Sequence, residues 1–334
     1  MNTIVDLDIS MGKKYILDYE YLDETRNIIN GEEYRLYFVM LGDKYNIVDY
    51  NGIGSVLNII CKDESNGNTY NVQFDMLGSF RVNSIECLNV ELCNQGSLLH
   101  ISYTEKGIQY LKNHYPNEYA IYCQRIEECG EFWTKIHVKN LIEMYFAVNE
   151  EEIIRKHQVL YIGQSKQDNI FDRIESHSTI QKIHREVGKR FKGKSIEIML
   201  CDVRCKIIDK TSVEKYNAEI VSSNSLGNSF ELFESIRRNE AIDISEAMLI
   251  AHFKPEYNKN LKEVNSSLKT YSRFRDVEIG SVNFTLDLFW EEAKEKSILY
   301  TDSIETETKA RIITCKFTDE DIEFSYDDLE DKYY

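Results

Sequence analysis

The segment Gln158–His177, QVLYIGQSKQDNIFDRIESH, sets a tyrosine, a glycine, an arginine and a histidine at spacings suited to handling a phosphodiester. Arg173 and His177 are four residues apart and share one face of a helix. From there a guanidinium can fork onto a phosphate oxygen while an imidazole addresses an attacking water or a tyrosine hydroxyl. Gly163 ends the YIG run, and without a Cβ it lets a phosphate or a following helix approach the backbone. Lys166, just beyond, reads either as a phosphate contact or as a solvated loop lysine. Further along, SEAMLIAHFKPEYN (245–258) places Glu246 on a helix, stops that helix at Pro255 and follows it with Asn258. A carboxylate in that position can serve as a metal ligand. The competing reading makes Asp243 a helix cap and Glu246 the acidic partner of a capping box, which leaves Asn258 without a role.

Charge gives these residues a context. The 334-residue chain carries a net charge of −17, which argues against a polyanionic partner unless the charge is segregated. It is segregated: between Arg155 and Lys194 ten Lys and Arg face only four acids, so the remainder of the chain holds all of the acidic excess. Arg185, Lys189, Arg190 and Lys192 belong to this basic island and are candidate DNA contacts. The alternative is an ordinary solvated helix face. The C-terminal segment from Lys316 is acidic, and it reads as a solubilising end or as a competitor with DNA for the island.

The elements that must position these groups fall into three parts. Residues 1–135 read as a mainly β domain, with KKYILDYEYL, EYRLYFVML, SVLNIICK, TYNVQFDML and LLHISY as strands, a hairpin signal at Asn66-Gly67 and one helix over 105–114. The start of that helix, TEKGIQYL, resembles the helix starts of winged-helix domains. Residues 136–262 read as a small α/β unit in which EMYFAV (143–148) pairs with QVLYI (158–162), followed by one or two helices over 169–189, a strand over 195–208 and a helix over 245–253. The polar stretch at about 209–238 reads as an insertion in a loop. Residues 263–334 read as a β-rich extension around a helical LDLFWEEAKEK, ending in the acidic tail. No window approaches the length of apolar chain needed to cross a membrane, and the N-terminus lacks the order of a signal peptide. The expectation is therefore a soluble, cytoplasmic protein. The eight cysteines show no CxxC pair of the structural-zinc kind.

Tyr161-Ile162-Gly163, Arg-x3-His at 173–177 and E-x2-L-I-x4-P-x2-N at 246–258 together resemble the GIY-YIG nuclease superfamily, over roughly residues 140–262. The resemblance implies an α+β fold whose central domain is a small antiparallel three-stranded sheet flanked by helices. It implies a metal-dependent endonuclease that hydrolyses DNA, with Tyr161, Arg173, His177, Glu246 and Asn258 in the site. Glu246 would bind a divalent cation, usually Mg²⁺ with Mn²⁺ as a substitute, and Asn258 would order the site. The family also requires a tyrosine on the first strand, and Tyr145 is the expected one. Glu143-Met144 stand where Gly-Ile is usual, and the step to Tyr161 is longer than usual; Tyr122, in AIYC, matches better locally but lies further upstream. The flanking regions suit a restriction or phage-defence setting. The alternative is a catalytically inactive, nucleic-acid-binding or regulatory protein that keeps the same scaffold.

Overall fold

A computed structural model describes residues 5–29, 31–130, 134–149, 153–166, 169–209, 238–262, 279–290, 295–306, 310–318 and 322–329. The expected insertion at about 209–238 lies almost wholly outside these residues. The chain is mixed α+β, with a nine-stranded sheet and two three-stranded sheets. It divides into two compact units, but not at 135 and 262. The first unit is Met1–Gly42, Ile154–Phe191 and Ser195–Tyr334, and the second is Asp43–Ile153 with Lys192–Lys194. A folded unit is therefore spliced into the other between two of its strands.

The first unit is built on the nine-stranded sheet. Its strands are β1 (Val5–Asp18), β2 (Leu36–Asp43), β9 (Ile153–Gln164), β10 (Lys194–Asp209), β11 (Ile279–Asp287), β12 (Phe289–Trp290), β13 (Glu295–Tyr300), β14 (Ala310–Phe317) and β15 (Ile322–Leu329), in the order β12-β13-β9-β2-β10-β1-β11-β14-β15. The C-terminal strands thus complete the sheet that β1 begins. The expected helix over LDLFWEEAKEK is replaced at its start by the end of β11 and by β12. The acidic segment is likewise structured over β15, which pairs with β14 from Ala310↔Leu329 to Phe317↔Ile322. Asp328 there is held by a two-pronged ion pair with the buried Arg311. That part of the expected acidic tail is an edge strand.

Strand β2 is central, and LYFVML is buried on both faces. Leu36, Phe38 and Met40 point into one apolar layer together with helix α8 (Arg238–Phe253), while Tyr37, Val39 and Leu41 point into the other with helices α6 (Ile170–Ser176) and α7 (Ser178–Arg190). Each fully buried Leu, Ile or Phe in these layers contributes about 1.5–3 kcal/mol. Strand β9 runs antiparallel to β2 with Tyr37↔Gly163, Phe38↔Ile162 and Val39↔Tyr161, and then slips to Met40↔Val159. Leu160 is the extra residue of a β-bulge, so Leu160 and Tyr161 both turn to the α6–α7 side.

The second unit contains β3 (Tyr45–Ile53), β4 (Val56–Asp63) and β5 (Thr69–Asp75) in one sheet, and β6 (Leu88–Cys93), β7 (Leu98–Tyr103) and β8 (Thr134–His137) in the other. The β4–β5 turn uses Gly67 at φ +81, as the Asn-Gly pair predicts. Its helices include α3 (Glu105–His114), at the expected residues, and α5 (Val138–Val148). The strand expected over 143–148 is therefore helix. Its buried residues Val138, Leu141 and Ile142 follow the i, i+3, i+4 spacing of a helix face.

Candidate active site

Three neighbouring strands, β9-β2-β10, and the helices on their two faces bring together most of the residues singled out above. The α6–α7 elbow sets the first group. Asn169 caps α6 by accepting from the Phe171 N–H (3.0 Å), and the helix ends at His177, whose backbone is extended. His177 was expected within a helix, on one face with Arg173. It is instead the N-cap of α7, its Nδ1 accepting from the Thr179 N–H (3.2 Å). That bond leaves the proton of a neutral ring on Nε2, which donates to the Tyr161 Oη at 3.1 Å. Burial, and then the Arg173 charge, hold the His177 pKa below its usual value, so the neutral ring is the form present at pH 7. Arg173 is exposed and makes no side-chain hydrogen bond or ion pair among the described residues, so its guanidinium is open to a phosphate.

Tyr145 is not part of this group. It lies on α5 of the second unit and packs against Tyr70, with ring centroids 5.3 Å apart. The tyrosine on the strand paired with Tyr161 is Tyr37, which sequence reasoning missed. Its ring lies 6.2 Å from that of Tyr161, and its side chain is fully buried. A Cβ at Gly163 would come within 2.5 Å of both the Tyr37 Cζ and Oη, so the glycine makes room for this phenol. The Tyr37 Oη interacts with the Tyr161 hydroxyl but makes no hydrogen bond of regular geometry. Burial raises both phenol pKa values, Tyr37 furthest; Glu246 adds to the rise and Arg173 opposes it. The signal that pointed to Tyr37 was the unbroken apolar run LYFVML, the mark of a central strand.

Glu246 comes from α8. This helix is buried almost all round, through Ala241, Ile242, Ile244, Ser245 and the run Ala247–Ala251. Glu240, Asp243 and Glu246 are its partly exposed polar exceptions. The helix begins at Arg238, five residues before Asp243, so the capping-box alternative does not apply. Gln164, at the end of β9, donates from one Nε2 to the Glu246 Oε2 (2.7 Å) and to the Asp243 Oδ1 (2.8 Å). Lys166 is ion-paired with Asp243 at 2.6 Å. Burial raises the Glu246 carboxyl to about 7, helped by Asp243 and opposed by the Gln164 hydrogen bond, Lys166 and Arg173.

Asn258 orders the strand rather than touching a reacting atom. Lys254 takes a left-handed conformation (φ +50), Pro255 follows, and the chain turns back along β9 at Leu160–Ile162. The Tyr257 N–H donates to the Leu160 carbonyl (3.0 Å). Asn258 accepts from the Ile162 N–H and donates to the Ile162 carbonyl, both at 2.9 Å. This clamp fixes the residue between Tyr161 and Gly163.

The basic island is not uniform. Lys189 is exposed and makes no ion pair or hydrogen bond among the described residues, and Arg185 donates only to the Gln181 carbonyl of its own helix (3.2 Å). Arg190 is already neutralised by Glu256 (2.8 Å) and hydrogen-bonded to Tyr257 (2.7 Å). Lys192 is exposed and belongs to the second unit. His184 packs against Tyr19 with tilted rings, 5.2 Å between centroids, and His252 is buried.

Ser297, His157 and Glu197 form a second succession of reactive types. The His157 Nδ1 donates to the Glu197 Oε2 (2.6 Å), and its Nε2 lies 3.3 Å from the Ser297 Oγ. Exposures of 0, 1 and 2% seal the three residues from solvent, and Glu197 fills the space that a Cβ at Gly42 would take. They tie β13, β9 and β10 together.

Among the described residues no group of three or more His, Cys, Asp or Glu could hold a metal. No described helix is long and apolar enough to cross a membrane. Compared with family models, curated proteins and solved structures, the chain matches none.

Proposed function

We propose that this protein is a GIY-YIG-type endonuclease that hydrolyses DNA phosphodiester bonds with the aid of a divalent cation. The observation that carries the reading is Tyr37. The weakest part of the sequence resemblance was its first tyrosine. The antiparallel partner strand of Tyr161 supplies one from far upstream in the chain, beside Gly163 and in the field of Arg173 and Glu246. The resemblance implies a small three-stranded sheet, whereas β9, β2 and β10 are three neighbours in a sheet of nine; what supports the reading is that α6–α7 cover one face of these strands and α8 the other.

In this reading Arg173 binds the phosphate, since its guanidinium has no competing partner. Tyr161 first releases its phenol proton to solvent and then, as the phenolate, takes one proton from the attacking water, which returns it to the phenol. Its phenol is a poor base at rest, and the Nε2–H of His177 and the charge of Arg173 lower the cost of the phenolate. His177 does not take the water's proton itself, because both of its nitrogens are engaged. Tyr37, with a buried hydroxyl that makes no hydrogen bond of regular geometry, gains one when the phosphate and water arrive. Mg²⁺ or Mn²⁺ fits the donor set: the Glu246 carboxylate has only its Oε2 engaged, and the Gln164 Oε1 beside it is buried without a partner. All of these donors are oxygens, the choice of a hard cation that keeps several waters. A cation held there would supply positive charge to offset the charge that develops on the leaving oxygen. Arg185 and Lys189 extend the phosphate contacts along α7. A restriction or phage-defence role agrees with a second folded unit attached to the nuclease.

The test is a cleavage screen over duplex, branched, single-stranded and modified DNA with Mg²⁺ or Mn²⁺, with Glu246→Ala alongside. Cation-dependent cutting that the variant lacks is expected. Cutting of no DNA form, or equal cutting by Glu246→Ala, refutes the reading. Salt-sensitive DNA binding without cutting favours the non-catalytic alternative.

A further inference from the structure

We infer that the divalent cation is held by Asp243 and Glu246 together, and that the Gln164 amide keeps this pair assembled when no cation is bound. The inference rests on the cation reading above and extends it to two residues that the sequence resemblance leaves without a role.

Asp243 and Glu246 are one helical turn apart on α8, and residues three apart on a helix stand side by side. Two acids so placed and partly buried repel one another unless something between them offsets the charge. Lys166 offsets part of that charge from the Asp243 side, at 2.6 Å, and what stands between the two acids themselves is a single neutral nitrogen. The Gln164 Nε2 lies 2.8 Å from an oxygen of Asp243 and 2.7 Å from an oxygen of Glu246. An amide group offers hydrogens there but no net charge. The other end of the same amide is unsatisfied, because the Gln164 Oε1 is buried and accepts from nothing. A buried carbonyl oxygen without a donor is uncommon and calls for an explanation. A cation provides one: turning the amide would bring its oxygen to the cation as a third oxygen donor beside the two carboxylates.

A second observation, outside the acidic pair, points to the same place. The Tyr37 hydroxyl, fully buried and without a hydrogen bond of regular geometry, lies against the backbone of Gly163, the residue before Gln164, and interacts electrostatically with Glu246. An unsatisfied amide oxygen beside two carboxylates, with a buried phenol in the field of one of them, describes a site arranged for a group with positive charge and bound water. The donors are carboxylate and amide oxygens with no thiolate or imidazole among them, which selects Mg²⁺ or Mn²⁺ over Zn²⁺. Lys166, ion-paired to Asp243, is then the counter-ion that a cation displaces.

The experiment titrates Mn²⁺ into the full chain without DNA and follows the free Mn²⁺ signal by electron paramagnetic resonance. Glu246→Gln and Asp243→Asn should each weaken binding by about tenfold to a hundredfold. Lys166→Met, which frees Asp243 of its ammonium, should tighten it. Wild-type affinity in Asp243→Asn, with Glu246→Gln impaired, overturns the shared site and leaves the single-carboxylate reading intact. If Asp243→Asn does not fold, Lys166→Met decides, because it leaves α8 untouched: unchanged or weaker binding counts against Asp243. No Mn²⁺ binding by the wild type overturns both this inference and the cation reading on which it stands.

Discussion

Replacing Glu246 by glutamine should stabilise the cation-free protein at alkaline pH and leave it unchanged at acid pH. The Glu246 carboxyl is raised from 4.5 to about 7, chiefly by burial. Between those values the native state keeps a proton that the unfolded chain gives up. The stabilising contribution of that proton is complete below 4.5 and is lost as pH rises through about 7. Above pH 7 the native state therefore carries a carboxylate that the unfolded chain holds more easily. At about 1.4 kcal/mol per pKa unit the full displacement sets a ceiling of about 3 kcal/mol. Glu246 keeps some contact with solvent, which brings the expected gain from glutamine to about 2 kcal/mol. The amide of the variant can still accept from Gln164, so no hydrogen bond need be lost. For a unit of this size the gain raises Tm by about 4–8 °C. The assay is a series of thermal melts of wild type and variant between pH 4 and pH 8.5 in the presence of a chelator. The two curves should meet at the acid end and separate with rising pH. Mg²⁺ should then raise the wild-type Tm at pH 8 and raise that of the variant by less, because the stabilisation a ligand gives grows with the logarithm of its concentration relative to Kd. A Tm difference that is the same at pH 5 and pH 8 refutes the reasoning, since it cannot come from a buried ionised carboxylate.

Tyr37→Phe removes a buried hydroxyl that makes no regular hydrogen bond, whose burial costs about 1–3 kcal/mol; Tm should rise while DNA cleavage falls by about a hundredfold, the loss of one hydrogen-bond donor to the reacting phosphate, whereas Tyr145→Phe should leave cleavage unchanged. A fall in Tm with unaltered cleavage in Tyr37→Phe would remove this residue from the site. Asn258→Ala leaves the Ile162 N–H and carbonyl without partners and should cost about 2–3 kcal/mol, read as a lower midpoint in chemical denaturation; an unchanged midpoint would show that the clamp is dispensable. Replacing Arg185 and Lys189 together with alanine should reduce the slope of log affinity for duplex DNA against log salt by about 2. Arg190→Ala, whose charge Glu256 already neutralises, should leave the slope unchanged, and the opposite ranking would place the DNA elsewhere.

Much of the site was legible because its residues lie in two short segments. Gln158–His177 forms the end of a strand, one short helix and the cap of the next, and 245–258 forms the end of another helix and the turn after it. Within such segments periodicity and capping chemistry operate locally, which is why α3, α6, α7 and most of the strands fall close to their expected places. The failures lie where tertiary structure decides. Val138–Val148 is rich in aromatic and branched residues and so resembles a strand, yet its buried positions are spaced for a helix. The Asp243–Gln164–Glu246 arrangement joins a strand end to a helix far away in sequence, and neither segment announces the other.

Tyr37 shows what a linear motif assumes. A pair of adjacent antiparallel strands is usually joined by a short turn, so the first tyrosine was sought just upstream of the second. Nothing in the physics of the pair requires that. The ladder from Leu36↔Gln164 to Leu41↔Gln158 needs only that the two strand ends be brought together, and a folded unit whose own ends are close does this as well as a turn. Here that unit is Asp43–Ile153, with its own apolar core around Ile47, Leu57, Ile59, Leu99 and Leu141. The two strands are also held independently of the join, by the slip at Leu160 and by the Asn258 clamp on Ile162 of β9. With register fixed from within the first unit, the connection between Tyr37 and Tyr161 was free to become a second unit without moving either phenol.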